Sequence, residues 1–270
     1  MENMPWEGTA VEIRTYTLFS DTPQNLYPEM PAVFQAMDGS LPIGSLALFA
    51  PGPDRAEVTA SVLPSRRREH VFSRLLCAAE EVLRSYGYRE ALLLSSSPEG
   101  HAVAAHWGLP LSHCVYRMFW SGALPSSALN VELYPASDEA FSALALLWGR
   151  SFPGPLSQGT AQLRSVLSHC LCFRLDGALA GLVCVQPGPV PELCGLAVTP
   201  ELRGRGAGRA ALSALLRRLS ALPEHPPVAL SVDSRNKPAL ALYRRCGFTV
   251  RSETGYYRRF LSGSNSEYGR

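Results

Sequence analysis

Apolar positions follow two rhythms along this chain, and the second half shows both clearly. From about Gly206, the residues Leu212, Leu215, Leu216 and Leu219 keep the i, i+3, i+4, i+7 spacing of an amphipathic helix. Two apolar stretches, 170–175 and 179–185, flank Asp176-Gly177, a pair suited to a tight hairpin. Short strands are predicted at 131–134, 192–198 and 228–232. Asp138 stands where it can cap a helix running to about residue 150, and a second helical stretch ends near residue 169. A short helix over 238–246 and extended segments over 248–260 close the chain. The resulting order, β-α-α-β-β-β-α-β-α-β, describes an α/β (α+β) mixed sheet flanked by helices.

The first half repeats part of this pattern. Phe72, Leu75, Leu76, Ala79 and Leu83 form the same helical stripe after Pro64. Asp38-Gly39 recurs as Asp176-Gly177, Gly44 as Gly181, Val62-x-Pro64 as Val198-x-Pro200, and Gly108-Leu109 as Gly247-Phe248. The offset stays at about 138 positions, and a nearly constant offset with small drift is what loop insertions in a duplicated domain produce. The expected organisation is therefore two tandem domains, residues 1–125 and 126–270, joined through the Ser/Pro/Gly-containing stretch 121–130. The first copy leaves only a short gap after a strand ending near Phe19, so it has no room for the two early helices.

Composition narrows the class. With 270 residues, 46% of them hydrophobic and 18% charged, the chain can bury a substantial core without metals or disulfides. A formal charge of +2 argues against a nucleic-acid binder, which normally shows a concentrated basic face. No apolar run reaches the length of a membrane span, and the first residues lack the form of a secretion signal. Seven cysteines, an odd number, read as reduced thiols of a cytoplasmic protein.

The chemistry concentrates in Leu196-Ala-Val-Thr-Pro-Glu-Leu-Arg-Gly-Arg-Gly-Ala-Gly-Arg209. A strand enters a turn holding Gly204, Gly206 and Gly208 and continues directly into a helix. The first helical amides have no intrahelical partners, and the helix N-terminus carries partial positive charge. Glycines let a bulky anion approach those amides, and Arg203, Arg205 and Arg209 add charge nearby. The dinucleotide pattern fails because Arg209 stands where a third glycine belongs, and the P-loop fails for want of Gly-Lys-Ser/Thr.

This segment resembles the acyl-CoA signature of the GNAT superfamily of acetyltransferases. Asn236-Lys-Pro-Ala-x-x-Leu-Tyr243-x-x-Cys-Gly-Phe248 resembles that family's second motif. The resemblance covers about half the chain, and it implies two acyl-CoA N-acyltransferase-like domains, each with a mixed, mostly antiparallel sheet. It further implies that Leu196, Ala197 and Val198 line the pantetheine arm of acetyl-CoA, while Arg203, Gly204, Arg205, Gly206, Ala207, Gly208 and Arg209 hold the pyrophosphate.

By the same resemblance Asn236 contacts the arm, or else it only caps the following helix. Tyr243 matches the general acid at the departing sulfur, against the plainer reading of an apolar-stripe residue. Glu192 matches a frequent general base, with Asp233 the competitor. An acceptor pocket is expected from residues 151–155 and a turn at 253–255. The implied reaction is direct transfer of an acetyl group to a primary amine. The alternative is a non-catalytic acyl-CoA sensor.

The first copy departs from the signature. Aligned on Pro64, it keeps Arg67 opposite Arg203 but places His70 at the position of Gly206 and Phe72 at that of Gly208. Ala104 falls at the Tyr243 position and Ser97 at that of Asn236. It is expected to have lost acyl-CoA binding and to serve as a scaffold. His101, His106 and His113 lack partners at metal-ligand spacing, so no metal is expected.

Overall fold

The computed structural model describes residues 11–17, 29–52, 55–120, 122–152, 156–222 and 227–261. It divides into two units, residues 1–114 with 254–270, and residues 115–253. The expected single boundary at 125/126 is therefore replaced by two crossings, each inside a strand.

In the first unit, β1 (Glu12–Tyr16), β2 (Val33–Asp38), β3 (Leu41–Gly52) and β4 (Arg55–Val62) pair antiparallel in sequence order. Helix α1 (Val71–Ser85) then returns the chain to β5 (Glu90–Ser95), which lies parallel to β4. The short helix α2 (Pro98–His106) follows. The far side of β5 is taken by Gly255–Phe260 paired antiparallel, the end of the last strand of the chain. Leu75, Leu76, Ala79 and Leu83 of α1 are buried against Phe34, Ile43, Leu46 and Val58, as the helical stripe requires.

The second unit repeats this plan with two extra helices. Its elements are β7 (Glu132–Pro135), α3 (Phe141–Ser151), α4 (Leu156–Val166), β8 (Cys170–Leu175), β9 (Ala178–Gln186), β10 (Glu192–Val198), α5 (Ala207–Ser220), β11 (Ala229–Asp233) and α6 (Lys237–Arg245). β7 to β10 pair antiparallel, β10 and β11 are parallel, and β11 pairs with residues 115–119 of β6 (Leu111–Trp120). The final strand, β12 (Phe248–Phe260), begins here and ends in the first unit. The extended segments expected over 248–260 are the single strand β12, and a strand's own sequence does not name its hydrogen-bonding partner.

Three local expectations are corrected. Asp138 opens a single 3-10 turn and donates no cap; its carboxylate instead accepts from Arg164 of α4. Residues 253–255 lie within β12 and form no turn. Cys170 and Cys184, directly opposite each other on β8 and β9, form a disulfide with Cα atoms 4.0 Å apart, so the expectation of seven reduced thiols fails. Residues 18–28, 121, 153–155 and 262–270 lie outside the described residues, which include the expected strand end near Phe19 and part of the expected acceptor loop.

Candidate functional site

Strand β10 has partners on both edges only at its start. Against β9 its pairing runs through to Val198 opposite Gly181, whereas against β11 it stops after Glu192 with Ala229 and Leu193 with Leu230. A register shift between Leu193 and Gly195 marks a bulge, which increases local twist and turns the strand away from β11. Leu196, Ala197 and Val198 consequently present one edge of main-chain N–H and C=O groups without a strand partner. Such an edge accepts an extended chain by backbone pairing. Ala197 is buried against the α3 cluster, while Leu196 and Val198 face the small residues Ala207, Ala210 and Ala211 of α5.

Beyond Val198 a 3-10 turn over Pro200–Leu202 leads to Gly204 at φ +72° and Gly206 at φ +91°. Both angles fall where side chains are disfavoured, so these two glycines serve the turn itself. Gly208 serves a different need: a Cβ there would lie 3.3 Å from Leu242 Cδ2 and 3.4 Å from Val198 Cγ2. The first helical bond runs from the Ala210 amide to the Gly206 carbonyl, 3.0 Å. The amides of Ala207, Gly208 and Arg209 therefore precede the intrahelical ladder, at the helix end where partial positive charge collects.

The three arginines diverge. Arg205 is exposed, and among the described residues no hydrogen bond or ion pair holds its side chain. Arg203 donates to the Val198 carbonyl (3.0 Å), the Ser151 hydroxyl (3.1 Å) and the Arg150 carbonyl (3.4 Å). Arg209 reaches Ser126 Oγ at 3.4 Å, and its Nε is buried with no hydrogen-bond partner among the described residues.

Tyr243 on α6 is half-buried and meets the Phe248 ring edge-on at 5.8 Å. Burial, with a smaller contribution from Cys246, pushes its hydroxyl up to about 12. Asn236 accepts from the Ala239 amide at 3.2 Å and caps α6. Of the two candidate bases, Asp233 accepts from Arg235 through both carboxylate oxygens, at 2.5–3.1 Å, and also from the Arg235 amide at 2.8 Å. Glu192 receives Arg117 on one oxygen, and Arg117 also donates to Ser231 at 3.2 Å. Sequence reasoning missed Arg117, since nothing local connects a β6 arginine with a β10 glutamate. It also missed Trp148, whose ring presses on Gly195 and whose indole N–H is buried with no hydrogen-bond partner among the described residues.

The first unit keeps the outline of this wedge and changes its contents. Pairing of β4 with β5 ends at Val58 and Leu93. His70 adopts φ +58°, the left-handed conformation that Gly206 adopts in the other unit. Ser97 caps α2 by accepting from Gly100 at 3.1 Å, as Asn236 caps α6. Yet Phe72 stacks on Trp107 at 5.3 Å, and Arg67 pairs with Glu99 at 3.0 Å, which joins the α1 approach to the α2 start. Arg66 is likewise engaged by Asp38 and Glu69.

Residues 139–248 match the Acetyltransferase (GNAT) family. The mycothiol acetyltransferase of Clavibacter michiganensis subsp. michiganensis is 32% identical over 249 residues, covering 84% of this chain and 79% of that one. The chain belongs to the GNAT acetyltransferase family. A mycothiol acetyltransferase of Thermomonospora curvata is 28% identical over 235 residues, covering 78% of this chain and 77% of its own. Among solved structures, a GCN5-related N-acetyltransferase from Sphaerobacter thermophilus shares the fold with a TM-score of 0.68 at 17% identity, covering 88% of this chain and 84% of that one. A tandem GNAT protein from the clavulanic acid biosynthesis pathway does so with a TM-score of 0.67 at 20% identity, covering 86% and 83%. The GNAT chain described here is thus an acetyltransferase of tandem layout.

Other features lie apart from the wedge. A cavity of about 640 Å³, lined by His169, Leu171, Pro187, Arg218 and Leu219 among others, sits at the far end of α5. That is about 20 Å along the helix from the glycine turn. Among the described residues no three His, Cys, Asp or Glu side chains gather as a metal set, and no helix is long and apolar enough to cross a membrane.

Proposed function

We propose that this GNAT protein transfers the acetyl group of acetyl-CoA directly to a primary amine while both substrates are bound in the 115–253 unit. The observation that carries this reading is the unpaired edge of Leu196, Ala197 and Val198 running into the free amides of Ala207, Gly208 and Arg209. An amide-bearing arm fits the edge, and a diphosphate fits the helix start, where Arg205 adds an uncommitted charge. Asn236 serves first as the α6 cap, which fixes the helix that carries Tyr243.

The proton steps set the roles of the side chains. An amine with a pKa near 10.4 must lose a proton before it attacks, at a cost of about 4–5 kcal/mol at pH 7. Glu192 is the better-placed base, through water, because one carboxylate oxygen remains outside its arginine contact, whereas Asp233 has both oxygens engaged. Tyr243 faces the opposite demand. Full proton transfer from a hydroxyl near 12 to a thiolate near 8.5 is uphill by about 5 kcal/mol. Its hydroxyl therefore stabilises the departing sulfur by hydrogen bonding. No covalent intermediate is required, since a positioned neutral amine attacks a thioester directly.

The relatives named mycothiol acetyltransferases favour an acceptor amine on a mycothiol-type molecule. Use of acetyl-CoA assigns the reaction to the cytoplasm. The first unit carries no donor site in this reading, because Phe72 stands at the position of Gly208 and stacks on Trp107, and Glu99 neutralises Arg67 at the approach to α1.

The experiment is a CoA-release assay of the full chain with acetyl-CoA and a panel of amines that includes desacetylated mycothiol. Turnover that falls steeply in Y243F and E192Q, at unchanged CoA affinity, supports the reading. CoA binding without turnover on any amine contradicts it.

A further inference from the structure

Arg203 belongs to the motif expected to hold phosphate, but its guanidinium points elsewhere. Nε donates to the carbonyl of Val198, the last residue of β10, and Nη2 donates to the Arg150 carbonyl and the Ser151 hydroxyl at the end of α3. The Arg150 carbonyl is among the last carbonyls of a helix, which lack intrahelical partners and attract cations. The same helix end touches β10 a second time, where the Trp148 ring would lie 2.9 Å from a Cβ on Gly195. Phe152, one residue past α3, packs against that ring at a tilt of 40°, with centroids 4.3 Å apart. The last turn of α3 is therefore pinned to the donor strand at both Gly195 and Val198, and only the second pin passes through the glycine turn.

We propose that Arg203 is a positioning residue that ties the end of α3 to the donor strand, so that occupancy of the donor wedge orders the helix end carrying Trp148 and Phe152. The inference rests on the functional reading above. An extended arm paired along residues 196–198 fixes the Val198 carbonyl, the carbonyl fixes the guanidinium, and the guanidinium fixes Arg150 and Ser151. The arrangement removes Arg203 from direct phosphate contact, leaving Arg205 and the helix-start amides for that task.

The test uses the full chain, with CoA as the probe, in two measurements. Calorimetry gives the CoA dissociation constant for wild type, R203Q and R203K. Hydrogen exchange follows the amides of residues 147–152 with and without saturating CoA. Wild type is expected to bind CoA and to slow exchange at 147–152 by about fivefold or more on binding. R203Q is expected to keep its CoA affinity within about twofold but to lose the CoA-dependent slowing, and R203K to recover part of it. A purely structural role would speed exchange equally with and without CoA, which overturns the proposal. So does a loss of CoA affinity of about tenfold or more in both variants with altered salt dependence, the mark of a phosphate contact. Absence of CoA binding by wild type instead overturns the functional reading and is distinguished from either result.

Discussion

Glu192 and Arg117 form an ion pair although 75 residues separate them, one on β10 and the other on β6, with Ser231 of β11 joined to the same guanidinium. The arginine precedes the interdomain stretch in sequence yet belongs to the unit that carries the proposed donor site. It holds one oxygen of the proposed base and leaves the other outside the contact. E192Q is expected to lower kcat by roughly 10²–10⁴-fold with CoA affinity intact. R117M is expected to lower kcat/KM at little stability cost, because both partners are about one-third exposed and such pairs contribute about 1 kcal/mol or less. Steady-state kinetics with a parallel thermal melt checks both. An unchanged kcat in E192Q would move the base to Asp233.

The tyrosine prediction concerns ionisation. Burial favours the neutral phenol, so the folded-state value rises to about 12, and the hydroxyl keeps its proton through neutral and moderately alkaline pH. The absorbance at 295 nm of wild type minus Y243F is expected to show no phenolate difference below about pH 11. Phenolate appearing near pH 10 would place Tyr243 in water and remove the argument for hydrogen bonding over proton transfer.

Fragments test the two crossings. A fragment of 126–270 lacks residues 115–120, whose Met118 and Trp120 lie in the core formed with Leu212, Leu216 and Leu230. It is expected to show no cooperative thermal transition by circular dichroism, whereas 115–253 is expected to show one. Equal melting of the two fragments would contradict the unit boundaries.

Cysteine labelling tests the strand pair. Iodoacetamide under denaturing, non-reducing conditions is expected to modify five cysteines, and all seven after reduction, because Cys170 and Cys184 are joined. Seven labels without reduction would return both residues to the thiol form.

Much of this was legible because it is local. The leucine stripe of α5, the hairpin of β8 and β9 about Asp176-Gly177 and the glycine turn each lie within a single window of sequence. The cap at Asn236 was one of two readings of that residue, and it was accessible because a cap is a contact of three residues' reach. What escaped depends on pairing across long separations. Residues 115–119 could have paired within their own half on pattern alone, and Asp138 had the right type for a cap before Arg164 engaged it. Arg203 illustrates the point inside the motif: its position was evident, but the carbonyls it meets at Arg150 and Val198 converge only in the fold.

The central claim is that one strand edge and one helix start together hold the donor, once per chain. Titrating CoA into the intact protein by calorimetry, alongside a G208V variant, tests it most directly. The Gly208 position already leaves only 3.3 Å to Leu242 for a Cβ. The account predicts a single site in wild type and its loss in G208V. Two sites per chain, no binding at all, or undiminished binding by G208V would contradict it.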